Sequence, residues 1–391
     1  GIIPEFLEYY YNKRVVIKKD LYTAKQKLKR LEKDTPEYID AKYEVERLNT
    51  SQMVIKILIN SCYGYMGNKH APIGDDDIAS SVTLTGQAVI KYSNKLIKQF
   101  IKKEVPNISD RDLEECIIYN DTDSSYVTIT PLIEQGVKFL DGEDIHKETF
   151  DKIQEIEDYL NQGVSEWAKK ALLTKDSRFI FKRECIADVG VFLQKKRYVM
   201  HILDDEGIKE NKFKYTGVEV VRTTMPNAIK PYAKKIIETM LMTQSLGKTN
   251  ELLNETYEIF KGLGPQELAF VMGVNGYEKY ATQCNQFTTT KGMPIHVKSA
   301  YFYNMLLDKL NTGNKYEAIG TGDKVRYMYI EQPNKFGLES IGFKYDYPKE
   351  FGNLFKPDYD KMFEKILFQA IERFYDNVGW KIRKPSENVT V

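Results

Sequence analysis

The chain has 391 residues, more than a single domain usually holds, and this predicts two or three substructures. Hydrophobic residues at 42% are enough for real cores, whereas 29% charged residues with a net charge of only +1 make no overall electrostatic case for nucleic-acid binding; only local patches can make one. The four cysteines, Cys62, Cys116, Cys185 and Cys284, stand far apart without a paired spacing or a nearby His cluster, which argues against a zinc site and against a disulfide framework. No signal peptide and no long apolar span occurs, so the expectation is a soluble, cytoplasmic protein with no membrane contact. The chain starts at Gly1 and runs straight into Ile2-Ile3-Pro4-Glu5, which reads as the interior of a longer polypeptide, or as a processed or trimmed one.

From Glu5 to about Lys33 the pattern is helical and rich in lysine. Asp34-Thr35-Pro36-Glu37 reads as a stop, a cap and a Pro in the first turn of a second helix running to about Met66. Together they predict a helical hairpin. Residues 78–104 predict another helix, broken by Val105-Pro106-Asn107. Two short strand-like runs follow, Cys116-Ile117-Ile118 and Tyr126-Val127-Thr128-Ile129, around the turn Asp121-Thr122-Asp123-Ser124. A helix is expected from about 144 to 172. The stretch Phe179–Val218 is β-rich, with strands at Phe179–Phe181, Val191–Ile202 and Phe213–Val218, and Pro226 opens a mostly helical C-terminal third. No internal repeat or low-complexity linker interrupts this order.

Four segments carry chemistry. Strand, tight acidic turn, strand holds Asp121 and Asp123 close at a sheet edge, where they repel unless a cation sits between them. Mg²⁺ suits the place, because it takes few protein oxygens and fills its other sites with water and phosphate. An ordinary hairpin turn would use the same residues, and that reading stays open. On the second helix, Lys56, Asn60, Tyr63, Gly64 and Gly67 share one face. Glycine inside a helix costs about 1 kcal/mol against alanine, so the two glycines make sense if something flat presses on the backbone, such as a base pair stacked on Tyr63. A fraying helix end would look alike. Arg14 and Lys18, one turn apart on the first helix, would join Lys56 in a three-cation pocket for a triphosphate, although a solvated basic face is the plainer reading of that pair alone. Finally, Gln194-Lys195-Lys196-Arg197-Tyr198-Val199 reads as one strand, with Lys196 and Tyr198 on one face and Lys195 and Arg197 on the other. Such a strand suits contact with a nucleic-acid backbone or minor groove, or simply blunts a sheet edge.

In this order the segments resemble the C-terminal half of a family B DNA polymerase, with the replicative branch of the T-even-type bacteriophages nearest. Lys56-x3-Asn60-Ser61-x-Tyr63-Gly64 is similar to the fingers motif, Tyr119-x-Asp121-Thr122-Asp123-Ser124 to the palm carboxylate motif, and Lys195-Lys196-Arg197-Tyr198 to the primer-binding motif. Gly1-Ile2-Ile3-Pro4 and Asn12-x-Arg14-x3-Lys18 look like the start of the fingers, and Thr216-Gly217-Val218-Glu219 with Thr223-Thr224-x-Pro226 looks like the passage from palm to thumb. The resemblance covers most of residues 1–230 and thins beyond them. Single motifs are weak, but several in order are strong.

The resemblance implies an α+β fold with right-hand architecture: helical-hairpin fingers at 1–68, the C-terminal part of an antiparallel-sheet palm at 69–217, and a mostly helical thumb at 218–391. It implies template-directed nucleotidyl transfer from a dNTP to a primer 3′-OH with two Mg²⁺ ions. Arg14, Lys18 and Lys56 would grip the triphosphate, and Asn60 and Tyr63 would line the nascent base pair. Asp123 would be the main metal ligand and Asp121 a lesser one, with Glu184 near the place of an accessory carboxylate. Lys196 and Tyr198 would hold the primer end of a primer–template DNA, supported by Lys195 and Arg197.

Two departures stand out. The family's other metal-binding aspartate lies in a motif like D-x2-S-L-Y-P ahead of the fingers, and no such motif occurs here; the upstream exonuclease is missing too. A two-metal mechanism needs both ions clamped. The expectation is therefore a split polymerase, or a cut fragment, that is inactive until an N-terminal polymerase/exonuclease polypeptide supplies the aspartate across a large obligate interface. The second departure is the end Arg383-Lys384-Pro385-Ser386-Glu387-Asn388, which has no clear docking peptide for a sliding clamp and leaves that partner open. If the source is a phage, the compartment would be the cytoplasm of the infected bacterial host. The alternatives are a catalytically inactive DNA-binding replication scaffold of the same family, and a different enzyme with a palm-like hairpin such as a reverse transcriptase or primase. The spacing of Asn60, Tyr63 and Gly64 argues against the latter.

Overall fold

Two long helices open the chain, α1 at Ile2–Lys29 and α2 at Pro36–Met66, packed together as a hairpin. Thr35 caps α2: its hydroxyl accepts from the Tyr38 N–H at 3.2 Å, and Pro36 takes the first helical position, where a missing N–H costs nothing. The buried side of the hairpin is thin, with Leu21 on α1 and Ala41, Leu48, Gln52 and Ile55 on α2. The computed structural model describes residues 1–285 and 288–385, which form two compact units: Gly1–Cys185 with Asp204–Lys209, and Ile186–Leu203 with Glu210 onwards.

In the first unit the hairpin is followed by α3 (Asp76–Glu104), α4 (Asp110–Glu115), β1 (Ile117–Asp121), β2 (Ser124–Val127), α5 (Thr130–Glu134), a minimal hairpin of β3 (Leu140–Asp141) and β4 (Asp144–Ile145), and α6 (Lys147–Ala171). α3 begins two residues before the expected start because Asp75 caps it, its carboxylate accepting from the N–H groups of Asp77 at 2.9 Å and Ile78 at 3.0 Å. α3 and α6 pack so closely that a Cβ on Gly163 would lie 2.6 Å from Leu96 Cδ1. Leu96, Ile97, Ile101, Cys116, Leu132 and Val164 make the core here, and Ile117 and Val127 at the root of the β1–β2 hairpin pack against it. The acidic turn is thus the tip of a ladder whose base packs on this core.

The second unit begins with a three-stranded sheet, β5 (Cys185–Gln194), β6 (Arg197–Asp205) and β7 (Ile208–Thr216), in that order. Two-residue turns join the strands, so they run antiparallel. His201 on β6 pins the sheet, with Nδ1 2.8 Å from Asp188 Oδ1 on β5 and Nε2 2.8 Å from Asn211 Oδ1 on β7. Then come α7 (Lys230–Thr243), α8 (Leu246–Lys261), α9 (Pro265–Leu268), β8 (Phe270–Gly273), α10 (Tyr277–Ala281), α11 (Ile295–Lys309), β9 (Lys324–Tyr329), β10 (Ser340–Phe343), α12 (Lys349–Gly352), α13 (Tyr359–Phe363), a π-helical turn at Glu364–Phe368, and α14 (Gln369–Asn377). The strands β10-β9-β8 form an antiparallel sheet. Phe260, Tyr303, Phe343, Phe351 and Phe374 are almost wholly buried at the centre of this unit, each contributing about 1.5–3 kcal/mol of burial.

Long helices with small antiparallel sheets make this an α+β fold. Two expectations need correction. Phe179–Phe181 is extended but forms no ladder; the Asn161 amide takes a neighbouring strand's place, donating to the Phe181 carbonyl at 2.9 Å and accepting from the Phe181 N–H at 2.7 Å. Lys195 and Lys196 do not lie within a strand; they are the turn between β5 and β6, with Lys196 in the left-handed region at φ 60°. The face alternation expected across Lys195–Tyr198 therefore does not exist. The C-terminal third is mostly helical but also carries the β8–β10 sheet. No helix among the described residues is long and apolar enough to cross a membrane.

Candidate active site

β1 and β2 pair with Asp121 opposite Ser124, which leaves Thr122 and Asp123 as a two-residue turn. Thr122 has φ 56°, a conformation that costs a β-branched residue roughly 1–2 kcal/mol. The turn is tied around Asp121. Its carbonyl accepts from the Asp123 N–H at 2.6 Å and the Ser124 hydroxyl at 3.1 Å, and the Thr122 hydroxyl donates to Asp121 Oδ1 at 3.2 Å. Asp121 is half-buried and Asp123 exposed. Behind them, Ser125 Oγ lies 2.7 Å from Asn120 Oδ1 and 2.9 Å from Asn94 Oδ1, which ties the hairpin to α3. The structure thus brings Asp121 and Asp123 together on a strained, well-fastened turn. Among the described residues no group of three or more His, Cys, Asp or Glu could hold a metal ion. Glu184 is exposed ahead of β5, its carbonyl accepting from the Glu206 N–H at 2.6 Å, and it joins no such group.

On the helical hairpin, Lys56, Asn60, Tyr63, Gly64 and Gly67 are all exposed. A Cβ added at Gly64 would meet nothing within 4 Å. The stripe is therefore an open surface, and no packing among the described residues explains the glycine. Arg14 on α1 donates to Gln52 Oε1 from Nε at 3.3 Å and from Nη2 at 3.2 Å. Gln52, which holds Arg14, precedes Lys56 by one turn, about 6 Å along the α2 axis. Lys18 lies a turn further along α1 and pairs with Glu206 at 2.5 Å, with both side chains more than a third exposed. A surface pair of this kind contributes about 0–1 kcal/mol, little enough for a multiply charged anion to displace.

In the second unit the Lys195-Lys196 turn projects from the sheet. Both side chains lie on the turn, Arg197 is half-buried and Tyr198 is 4% exposed, its ring stacked on Phe192 at 5.1 Å. Gly217 lies against the turn. It has φ 62°, and any Cβ there would come 2.1 Å from the Lys196 carbonyl oxygen. Glu219 Oε1 accepts from Arg197 Nη1 at 2.8 Å and from Arg373 Nη1 on α14 at 2.5 Å.

The family model described as DNA polymerase family B matches residues 1–378. The chain belongs to DNA polymerase family B. Similar proteins include the DNA-directed DNA polymerases of Escherichia phage RB69, 26% identical over 83% of this chain and 36% of that protein, and of Enterobacteria phage T4, 26% identical over 85% and 37%. The DNA polymerase of Thermococcus gorgonarius is 27% identical over 93% of this chain and 38% of its own length. This family B chain therefore spans little more than a third of the length of the curated relatives it matches.

Sequence reasoning missed three residues of this family B chain. Gln52, which orients Arg14, sits one turn before the quoted fingers motif and was findable from its i, i+4 spacing to Lys56. Glu219 was quoted as part of a motif but given no role. Arg373 lies 154 positions from its partner Glu219, and no local pattern could have linked them. The terminal stretch considered for clamp docking lies in part, from Ser386 to Asn388, outside the described residues.

Proposed function

We propose that this chain is the polymerase portion of a DNA-directed DNA polymerase of right-hand architecture, with fingers at 1–68, the C-terminal part of the palm at 69–217 and the thumb at 218–391. Its reaction is template-directed transfer of the nucleotidyl group of a dNTP to the 3′-OH of a primer, with pyrophosphate as the leaving group. The observation that carries this reading is the family match over residues 1–378, a range that includes every motif segment.

Asp121 and Asp123 are hard oxygen donors on one turn, the donor chemistry Mg²⁺ takes, so they would hold the metal ions. Bound Mg²⁺ would acidify the primer hydroxyl and neutralise the leaving pyrophosphate. The remaining work falls to side chains. Arg14, held by Gln52, and Lys56 would bind the triphosphate, and Lys18 would leave Glu206 to join them. Asn60 and Tyr63 would line the base pair, which presses against the bare backbone at Gly64. The Lys195-Lys196 turn would hold the primer backbone, with Arg197 fastened by Glu219 so that the turn keeps its place. Tyr198, buried against Phe192, would support that turn from within. Glu184 would act, if at all, as an accessory carboxylate.

Two carboxylates do not clamp two ions. The reading therefore requires a further aspartate or glutamate from outside these 391 residues, carried by an N-terminal polypeptide that would also bring the exonuclease. The pair of carboxylates without a third favours a second reading, a catalytically inactive DNA-binding relative. Steady-state primer extension in the assembled polymerase separates them. Lys56→Ala and Arg14→Ala should each raise KM for dNTP about tenfold with a smaller change in kcat. An assembly that binds primer–template DNA but extends nothing would favour the inactive relative.

A further inference from the structure

The turn between β6 and β7 lies in the same compact unit as α1, and three residues of α1 rest on it. Lys18 Nζ pairs with Glu206 Oε1 at 2.5 Å, the Tyr22 ring lies against Gly207, 3.7 Å from where a Cβ would stand, and Lys29 Nζ donates to the Lys209 carbonyl. At about 100° per residue, Lys18, Tyr22 and Lys29 fall on one side of α1, and so does Arg14, one turn before Lys18. The β6–β7 turn is itself anchored. Arg183 pairs with Asp204, Asp204 Oδ1 accepts from the Gly207 N–H at 2.9 Å, and the Glu206 N–H donates to the Glu184 carbonyl at 2.6 Å. Glu206 and Gly207 are the two central residues, with φ 52° and 86°. Both central positions of a turn with positive φ favour Gly, Asn or Asp, so glutamate in the first gains nothing for the turn. What it supplies is a carboxylate on a longer stem, which reaches Lys18 on α1.

We infer that Glu206 is an autoinhibitory latch on the nucleotide site: its carboxylate stands in for a phosphate oxygen on Lys18 and is released when a triphosphate takes that lysine. This rests on the reading of Arg14, Lys18 and Lys56 as the triphosphate grip and adds a regulator to it. One carboxylate carries a single negative charge against the several of a triphosphate, so the ligand wins the exchange once it is bound; without it the pair holds. The contacts of Tyr22 with Gly207 and of Lys29 with the Lys209 carbonyl involve no carboxylate. They keep α1 on the turn while the ion pair opens, so Glu206 stays within reach of Lys18 as a tethered competitor. Both members of the pair are more than a third exposed, which gives it the strength of an ordinary surface pair. Lys18 is then occupied for roughly half to five-sixths of the time, and the apparent affinity for triphosphate falls about two- to sixfold.

The test is calorimetric titration of dATP into the full chain at one ionic strength, for wild type, Glu206→Gln, Lys18→Ala and the double variant, with thermal melting of each. Glu206→Gln should bind dATP about two- to sixfold more tightly than wild type, at an unchanged melting temperature because the pair is exposed. Lys18→Ala should bind more weakly, and in its background Glu206→Gln should change nothing. Equal affinity of wild type and Glu206→Gln would overturn the latch and leave the triphosphate grip standing. An equal tightening with and without Lys18 would overturn it too, because removing a nearby negative charge would then suffice without any contact to Lys18. If Lys18→Ala binds dATP as tightly as wild type, or if no form binds it, the grip on which the latch rests is itself overturned.

Discussion

Gly64→Ala sets fold and function against each other. Gly64 lies in the last turn of α2, where the added methyl would meet nothing within 4 Å. Folding then registers only the change in helix propensity, and alanine is better than glycine by about 1 kcal/mol in a helix interior, somewhat less this close to the end. For a unit of this size that corresponds to a rise of about 2–4 °C in melting temperature. If a base pair lies on the bare backbone between Tyr63 and Gly67, the same methyl intrudes on it. The assembled polymerase should then lose at least tenfold in kcat/KM for dNTP, equivalent to about 1.4 kcal/mol. Thermal melting and single-nucleotide incorporation on the same preparation read both quantities. A more stable variant with unchanged incorporation would refute the assignment of this stripe to the nascent base pair. A less stable variant would refute the account of the helix end.

Two further predictions concern single positions. Gly217→Ala places a Cβ 2.1 Å from the Lys196 carbonyl at a left-handed φ, so it should cost roughly 3 kcal/mol in urea unfolding and weaken primer–template binding by displacing the Lys195-Lys196 turn. Glu350 is held down to about 2 by its own backbone N–H, then by Lys315 Nζ at 3.0 Å and the Tyr316 hydroxyl at 2.9 Å. A carboxylate lowered in the folded state stabilises above its unfolded value of about 4.5 and stops doing so as pH falls through about 2; the gap in urea midpoint between wild type and Glu350→Gln should be full at pH 7, shrink below pH 4.5 and close near pH 2, and a constant gap would contradict the assignment.

What was legible in the sequence was whatever local chemistry determines. The Thr35-Pro36 cap, the four long helices of the first unit and the Asp121–Asp123 hairpin were read nearly as they stand, because caps, helical periodicity and short apolar runs act within a few residues. The failures have long-range causes. Lys195-Lys196 looked like strand because cations between apolar residues tolerate a strand. The turn is set by Lys196 at positive φ and by Gly217, which is 21 positions away and whose missing Cβ makes room for it. Phe179–Phe181 has the composition of a strand, but Asn161 supplies the hydrogen bonds a neighbouring strand would have made. Motif order is what proposes the carboxylates and fingers residues, while the guanidinium pair on Glu219 was invisible, since Arg373 reaches it only through the packing of α14.

On the function proposed above, this chain supplies metal-holding carboxylates and a nucleotide grip to template-directed synthesis. The most direct measurement is single-turnover incorporation of each dNTP opposite each template base in the assembled polymerase, for wild type and Asp123→Ala. The account predicts that wild type adds only the complementary nucleotide, and that Asp123→Ala slows the addition at least a thousandfold, about 4 kcal/mol of transition-state stabilisation, while binding primer–template DNA as wild type does. Incorporation by Asp123→Ala at the wild-type rate would contradict it.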